Sequence, residues 1–135
     1  MKSIEVVAAI IQYQDRFLCL QRGVSKLDYI SEKYEFPGGK IELDESRVVA
    51  LKREITEELS VSLEHLEFFM TVRHQYPDFH ITMHSFLCPI TDPSKIKLTE
   101  HIDQKWLLQS ELVSLDWAAA DIPIVEQLQN IAQDI

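Results

Sequence analysis

Residues 39–61 read GKIELDESRVVALKREITEELSV, with Glu45, Glu54, Glu57 and Glu58 set around a predicted helix. The Gly38-Gly39 pair just before it predicts a tight turn. Asp44 or Ser46 is suited to cap the helix, which runs to about Leu59 with Val48, Leu51, Ile55 and Leu59 as its core stripe. Glu54, Glu57 and Glu58 are related by three and four residues, so they share one face beside that stripe, at the rim of the core. Like charges at such spacing repel by a few tenths of a kcal/mol, roughly, per pair. A cation among them would remove that cost, so the stretch points to a divalent metal and to phosphate chemistry. The plain alternative is a solvated acidic helix face.

Outward from this helix the chain reads as strands. Ile4–Gln12 is rich in Val and Ile and predicts a buried strand. Asp15-Arg16 predicts a hairpin turn into a second strand, Phe17–Gln21, and Ser25–Tyr34 a surface loop. Glu35–Gly39 is a short extended piece ending in the glycine turn, and Lys40–Leu43 alternates like a strand. Leu66–Tyr76 and His80–Ile90 are strands around a Pro77-Asp78 turn. A loop begins at Asp92, Lys105–Leu108 is a short strand holding Trp106, and Ser110-Glu111-Leu112 a turn or short helix. Asp121–Ile135 predicts a terminal amphipathic helix, with Asp121 as cap and Pro123 in its first turn. Strands with two main helices in mixed order predict one α+β domain over residues 1–135, an α/β/α sandwich.

Thirteen basic against 22 acidic residues give a net charge of −9, which disfavours a nucleic acid polymer as partner. The apolar run at the N-terminus is short and lacks a cleavage pattern, and no apolar stretch is long enough for a bilayer. Cys19 and Cys88 lack metal spacing and read as reduced core residues. The expectation is a cytoplasmic protein, monomer or homodimer. His74, His80 and His84 match no zinc ligand pattern.

Gly39, five residues, Glu45, seven residues and then Arg53-Glu54-Ile55-Thr56-Glu57-Glu58-Leu59-Ser60-Val61 resemble the Nudix box, GX5EX7REUXEEXGU. Ser60 departs from it, standing where the family has a glycine that supplies a left-handed helix end. Serine there is expected to cost about 1 kcal/mol and to leave the chemistry alone. The resemblance implies the Nudix fold, a mixed sheet between helices with the box as loop-helix-loop. It implies Mg2+, with Mn2+ as substitute, held by Glu54, Glu57 and Glu58 with help from the backbone near Gly38. Arg53 would orient the cluster through Glu45 or Glu57, and Glu54 would be the base for the attacking water. Arg22 and Lys40 flank the predicted site and are candidate phosphate contacts.

The likeness extends to MutT-type proteins through Glu35–Glu42, Tyr76-Pro77-Asp78, His80-Ile81-Thr82, and Glu100 six residues before Trp106. It makes Glu100 a further group serving the metals or the base. Ile4–Ile11, Asp44-Glu45-Ser46 and Ala120–Pro123 resemble the CTP pyrophosphohydrolase branch. Asp121 sits where MutT proteins selecting oxidised guanine carry asparagine, and its carboxylate suits the exocyclic amine of cytosine. Phe36 would be an apolar wall against the base, unless it is simply core. The function these implications converge on is Mg2+-dependent hydrolysis of CTP, dCTP or a 5-modified cytosine nucleotide to monophosphate and pyrophosphate. The alternatives are 8-oxo-dGTP hydrolysis and a Nudix-fold nucleotide-binding module without catalysis.

Overall fold

The computed structural model describes residues 1–131. Along the chain run β1 (Lys2–Tyr13), β2 (Arg16–Arg22), β3 (Tyr34–Glu35), β4 (Gly38–Lys40), α1 (Arg47–Leu59), β5 (Glu67–Gln75), β6 (Phe79–Pro89), β7 (His101–Leu108) and α2 (Ile122–Asn130). One mixed sheet has the order β3-β2-β1-β6-β5, with β4 branching onto β1 and β7 onto β2. The parallel pair β1–β6 is its spine, in register from Lys2↔Phe79 to Gln12↔Pro89.

Every residue from Val6 to Ile11 is buried because both faces of β1 are covered. Val6, Ala8 and Ile10 pack with Ile124, Val125 and Leu128 of α2, while Val7, Ala9 and Ile11 pack with Ala50, Leu51, Ile55 and Leu59 of α1. Period-two alternation along one strand thus feeds two cores and yields the expected α/β/α layering. Cys19 and Cys88 are free and buried, and burial pushes both thiols up to about 12. Among the described residues no helix is long and apolar enough to cross a membrane.

Ser46 is the cap of α1, its hydroxyl accepting from the Val49 N–H at 3.1 Å. Ser60 ends the helix at φ 60° and ψ 32°, the left-handed conformation for which the family uses glycine. Several expectations are corrected. Gly38 and Gly39 form β4 rather than a turn, and neither has positive φ. They are small because of space: a Cβ on Gly38 would lie 1.9 Å from the Val7 carbonyl oxygen, and one on Gly39 would lie 2.4 Å from the Glu54 carboxylate. Ile41–Leu43 is not strand, since pairing with β1 stops at Val6↔Lys40. Val48 is 40% exposed despite its helical phase, because it lies in the first turn, before α1 meets the core. The hairpin turn falls at Gln14-Asp15, one residue early, with Gln14 at φ 55°. β7 begins at His101 rather than Lys105, and a one-turn 3-10 helix follows Asp92. Asp121 makes no side-chain cap to α2. The predicted end of that helix, residues 132–135, lies outside the described residues.

Candidate active site

Arg53 organises the acidic face of α1. Its Nε donates to Glu45 Oε2 at 2.6 Å and its Nη2 to Glu45 Oε1 at 2.9 Å, a two-pronged pairing. Its Nη1 donates to Glu54 Oε1 at 2.9 Å and Glu57 Oε2 at 3.4 Å, and Nη2 also reaches the Lys40 carbonyl at 3.0 Å. The helix is thereby tied to the loop before it. Hydrogen bonding from Arg53 holds Glu45 down at about 2. For Glu54 burial dominates and raises its pKa, with Arg53 opposing.

The three box glutamates do not share one exposure. The Glu57 side chain is 58% exposed and that of Glu54 17%. Glu58 is buried, at 3%, and its Oε2 has no hydrogen-bond partner. Burial, then the charges of Glu100, Glu54 and Glu35, push Glu58 up to about 9, against a backbone hydrogen bond from Gly38. Glu100 is brought close by the carboxyl end of α1. Thr99 Oγ1 donates to the Glu58 carbonyl at 3.0 Å, and the Lys97 N–H to the Leu59 carbonyl at 2.9 Å. The segment before β7 thus satisfies the orphan carbonyls of the helix end and delivers Glu100 beside Glu58.

Two cavities meet here. A polar one of about 330 Å3 is lined by Arg22, Glu35, Gly38, Glu58, Glu100 and His101. An apolar one of about 280 Å3 shares Arg22, Glu35 and Gly38 with it and continues along Val6, Phe36, Tyr76, Ile81 and Met83 to Asp121, with Lys40 also on its wall. Phe36 is both core and wall: it is buried, stacks on Trp117 at 4.8 Å and lines the apolar cavity. The Phe36 N–H donates to Asp121 Oδ1 at 3.0 Å, which is why Asp121 does not cap α2. Burial, with Glu35 nearby, raises the Asp121 pKa well above the carboxylate range. Tyr76 Oη accepts from the Ala120 N–H at 2.9 Å, fixing the segment that carries Asp121.

The structure therefore gathers Gly38, Glu54, Glu57, Glu58 and Glu100 near one helix end, and Arg22, Phe36, Lys40 and Asp121 around the adjoining cavity. Glu54 and Glu57 line neither cavity and stand on the outer side of the cluster. Glu35 and His101 were missed in the sequence. Their one signal is adjacency, Glu35 to Phe36 and His101 to Glu100.

Among the described residues no three His, Cys, Asp or Glu side chains are already drawn together as a metal cage. The donors nevertheless fit a hard divalent cation, which prefers carboxylate oxygens and keeps several of its waters. A buried carboxylate with an orphaned oxygen, Glu58 Oε2, next to Glu54 and Glu100 is the arrangement such an ion would satisfy. His84 is spent on Thr71 and Glu5 instead, so the histidines make no zinc set.

Residues 6–127 match the NUDIX domain family. The chain is 34% identical to an Escherichia coli CTP pyrophosphohydrolase over 126 residues, 93% of this chain and 91% of the relative. It is 27% identical to the E. coli 8-oxo-dGTP diphosphatase over 131 residues, 97% of this chain and all of that protein. Among solved structures, that of the E. coli ORF135 protein superposes with a TM-score of 0.81 at 32% identity, covering all of this chain and 96% of that one.

Proposed function

Since the chain belongs to the NUDIX domain family and is a nucleoside triphosphate diphosphatase, we propose that its preferred substrate carries a cytosine-type base and that Mg2+ is its metal. The observation that carries the base assignment is the Asp121 carboxyl, buried at the apolar cavity and pinned to the Phe36 N–H. One of its oxygens is taken by that N–H, and the other is an acceptor suited to the exocyclic amine of cytosine. Oxidised guanine can also offer a donor, the N–H of its five-membered ring. That keeps 8-oxo-dGTP as the second reading, supported by the 27% identity to an enzyme acting on it.

In this proposal Glu58, Glu54 and Glu100 would hold the cation, with Glu57 and the Gly38 backbone supporting it, and the ion would there polarise phosphoryl oxygens and lower the pKa of water. Arg22 and Lys40 bind the phosphate chain. Glu54, raised by burial yet anchored by Arg53, takes a proton from the attacking water. The water oxygen bonds to phosphorus, the anhydride bond breaks, and monophosphate and pyrophosphate leave. Arg53 keeps Glu54 aimed by locking it to Glu45 and the Lys40 carbonyl.

Pyrophosphate release from CTP, dCTP, 5-methyl-dCTP, dGTP and 8-oxo-dGTP with Mg2+ tests the assignment. The expected result is the highest kcat/KM on a cytosine nucleotide. A preference for 8-oxo-dGTP transfers the assignment to the second reading, and no turnover of any triphosphate ends both.

A further inference from the structure

Arg22, Glu35 and His101 stand where the two cavities join, and their arrangement is built by an irregularity of the sheet. β2 and β7 pair regularly through Leu20↔Gln104 and Gln21↔Asp103, and then the register slips so that Arg22 faces His101. Ile102 is the extra residue, 57% exposed and opposite nothing. Without this bulge Arg22 would face Ile102, and the histidine would point to the other side of the sheet. With it, Arg22 and His101 lie on one face, the face onto which Glu35 projects through its pairing with Leu20.

The three side chains form a line. Arg22 Nη1 donates to Glu35 Oε1 at 3.1 Å, and His101 Nε2 meets Glu35 Oε2 at 3.0 Å. Each carboxylate oxygen therefore has a separate partner. The His101 side chain is only 3% exposed, and its other ring nitrogen, Nδ1, has no partner. The ring is thus tethered through its side chain at Glu35. Arg22 is 42% exposed and rich in rotamers, so whatever fixes Glu35 also fixes where the guanidinium points. Its remaining donors then face the junction of the apolar and polar cavities.

We propose that His101 is a positioning residue, which through Glu35 locks the Arg22 guanidinium at the neck between the cavities, where it holds the phosphate chain. This rests on the reading that a nucleotide spans the two cavities. It assigns the β7 bulge a purpose and adds Glu35 and His101 to the substrate-handling residues, as supports rather than contacts.

The test is a mutant cycle on Arg22 and His101. His101→Ala should raise KM for the preferred triphosphate about tenfold with kcat within about threefold, since ground-state binding is what is lost. His101→Gln, whose amide can still donate to Glu35, should recover most of the loss. In an Arg22→Ala background His101→Ala should have no further effect on KM, because coupled residues do not add. In the metal-free protein the Arg22 Nε–H signal in NMR should be slow-exchanging in the natural chain and averaged out in His101→Ala. An unchanged KM, a loss confined to kcat, a KM effect that multiplies with that of Arg22→Ala, or no rescue by glutamine overturns the proposal. If His101→Ala does not fold, the NMR comparison is made on Glu35→Gln, where an unaltered Arg22 signal overturns it equally. If the natural chain turns over no triphosphate, the functional reading fails, while the NMR result still decides whether His101 governs Arg22.

Discussion

The polar and apolar cavities touch at Arg22, Glu35 and Gly38 and otherwise draw on different elements. The polar one takes Glu58 from α1, Glu100 and His101 from the segment hydrogen-bonded to the end of that helix, and Gly23, Val24 and Ser25 from the stretch after β2. The apolar one is assembled from β1, β4, Tyr76 with the following β6, and the stretch before α2. The step between them is a single peptide: Glu35 turns to the α1 side of the sheet and Phe36 to the α2 side. On the proposed function, reaction chemistry and base selection would therefore vary largely independently, since the two cavities share only Arg22, Glu35 and Gly38.

The sharpest way to break that division is Glu54→Gln. It should lower kcat about a thousandfold, the range of a lost general base, with substrate preference across the nucleotide panel unchanged. A shift in preference would mean the two sides are not separable. The next effect is on stability against pH. Glu58 has its pKa raised in the fold from 4.5 to about 9. The stabilisation from its bound proton is thus fully present below pH 4.5 and is lost as pH rises through about 9. Within that window the slope approaches about 1.4 kcal/mol per pH unit for one such group. In EDTA the Tm should fall across this range, Glu58→Gln should flatten the fall, and a divalent ion should restore the high-pH Tm. Asp121, raised in the same direction by burial, leaves part of the slope in the variant.

On the apolar side, Asp121→Ala strands the buried Phe36 N–H and should cost about 1–3 kcal/mol in denaturant unfolding. Asp121→Asn keeps an acceptor, should hold stability, and should move the kcat/KM ratio away from cytosine while leaving kcat on a good substrate nearly unchanged. The smallest effect is expected at Ser60→Gly. It relieves a left-handed serine, so Tm should rise by a few degrees, for about 1 kcal/mol, with unaltered kinetics.

The same contrast explains what was legible in the sequence. The helix and a cap at Asp44 or Ser46 follow from local periodicity and cap chemistry, while its left-handed end and the pairing of Arg53 with Glu45 or Glu57 were legible only through the resemblance to the Nudix box. The graded burial of Glu57, Glu54 and Glu58 was not legible, because it depends on what packs over the end of α1, and the Thr99–Glu58 contact crosses 41 residues. Asp121 looked like a cap because an aspartate before a proline-bearing helix is a good one. A backbone donor 85 residues away claimed its side chain instead. Gly38-Gly39 looked like a turn because glycine serves both positive φ and close approach, and sequence alone does not separate the uses. Glu35 and His101 escaped because a β-bulge leaves no mark in a short polar strand.

The glycine pair carries a consequence for genetics. A side chain at position 38 would collide with the carbonyl of Val7, which every amino acid possesses, so no exchange of a neighbouring side chain rescues it. A side chain at position 39 would collide with the carboxylate of Glu54, which a smaller residue at 54 would remove. At position 39 the atoms in the way are the far end of a flexible side chain, so a substitution there displaces the carboxylate of the proposed base and leaves the sheet standing. Selection for a folded chain and selection for an active one would keep the two glycines for different reasons, and would release them under different conditions.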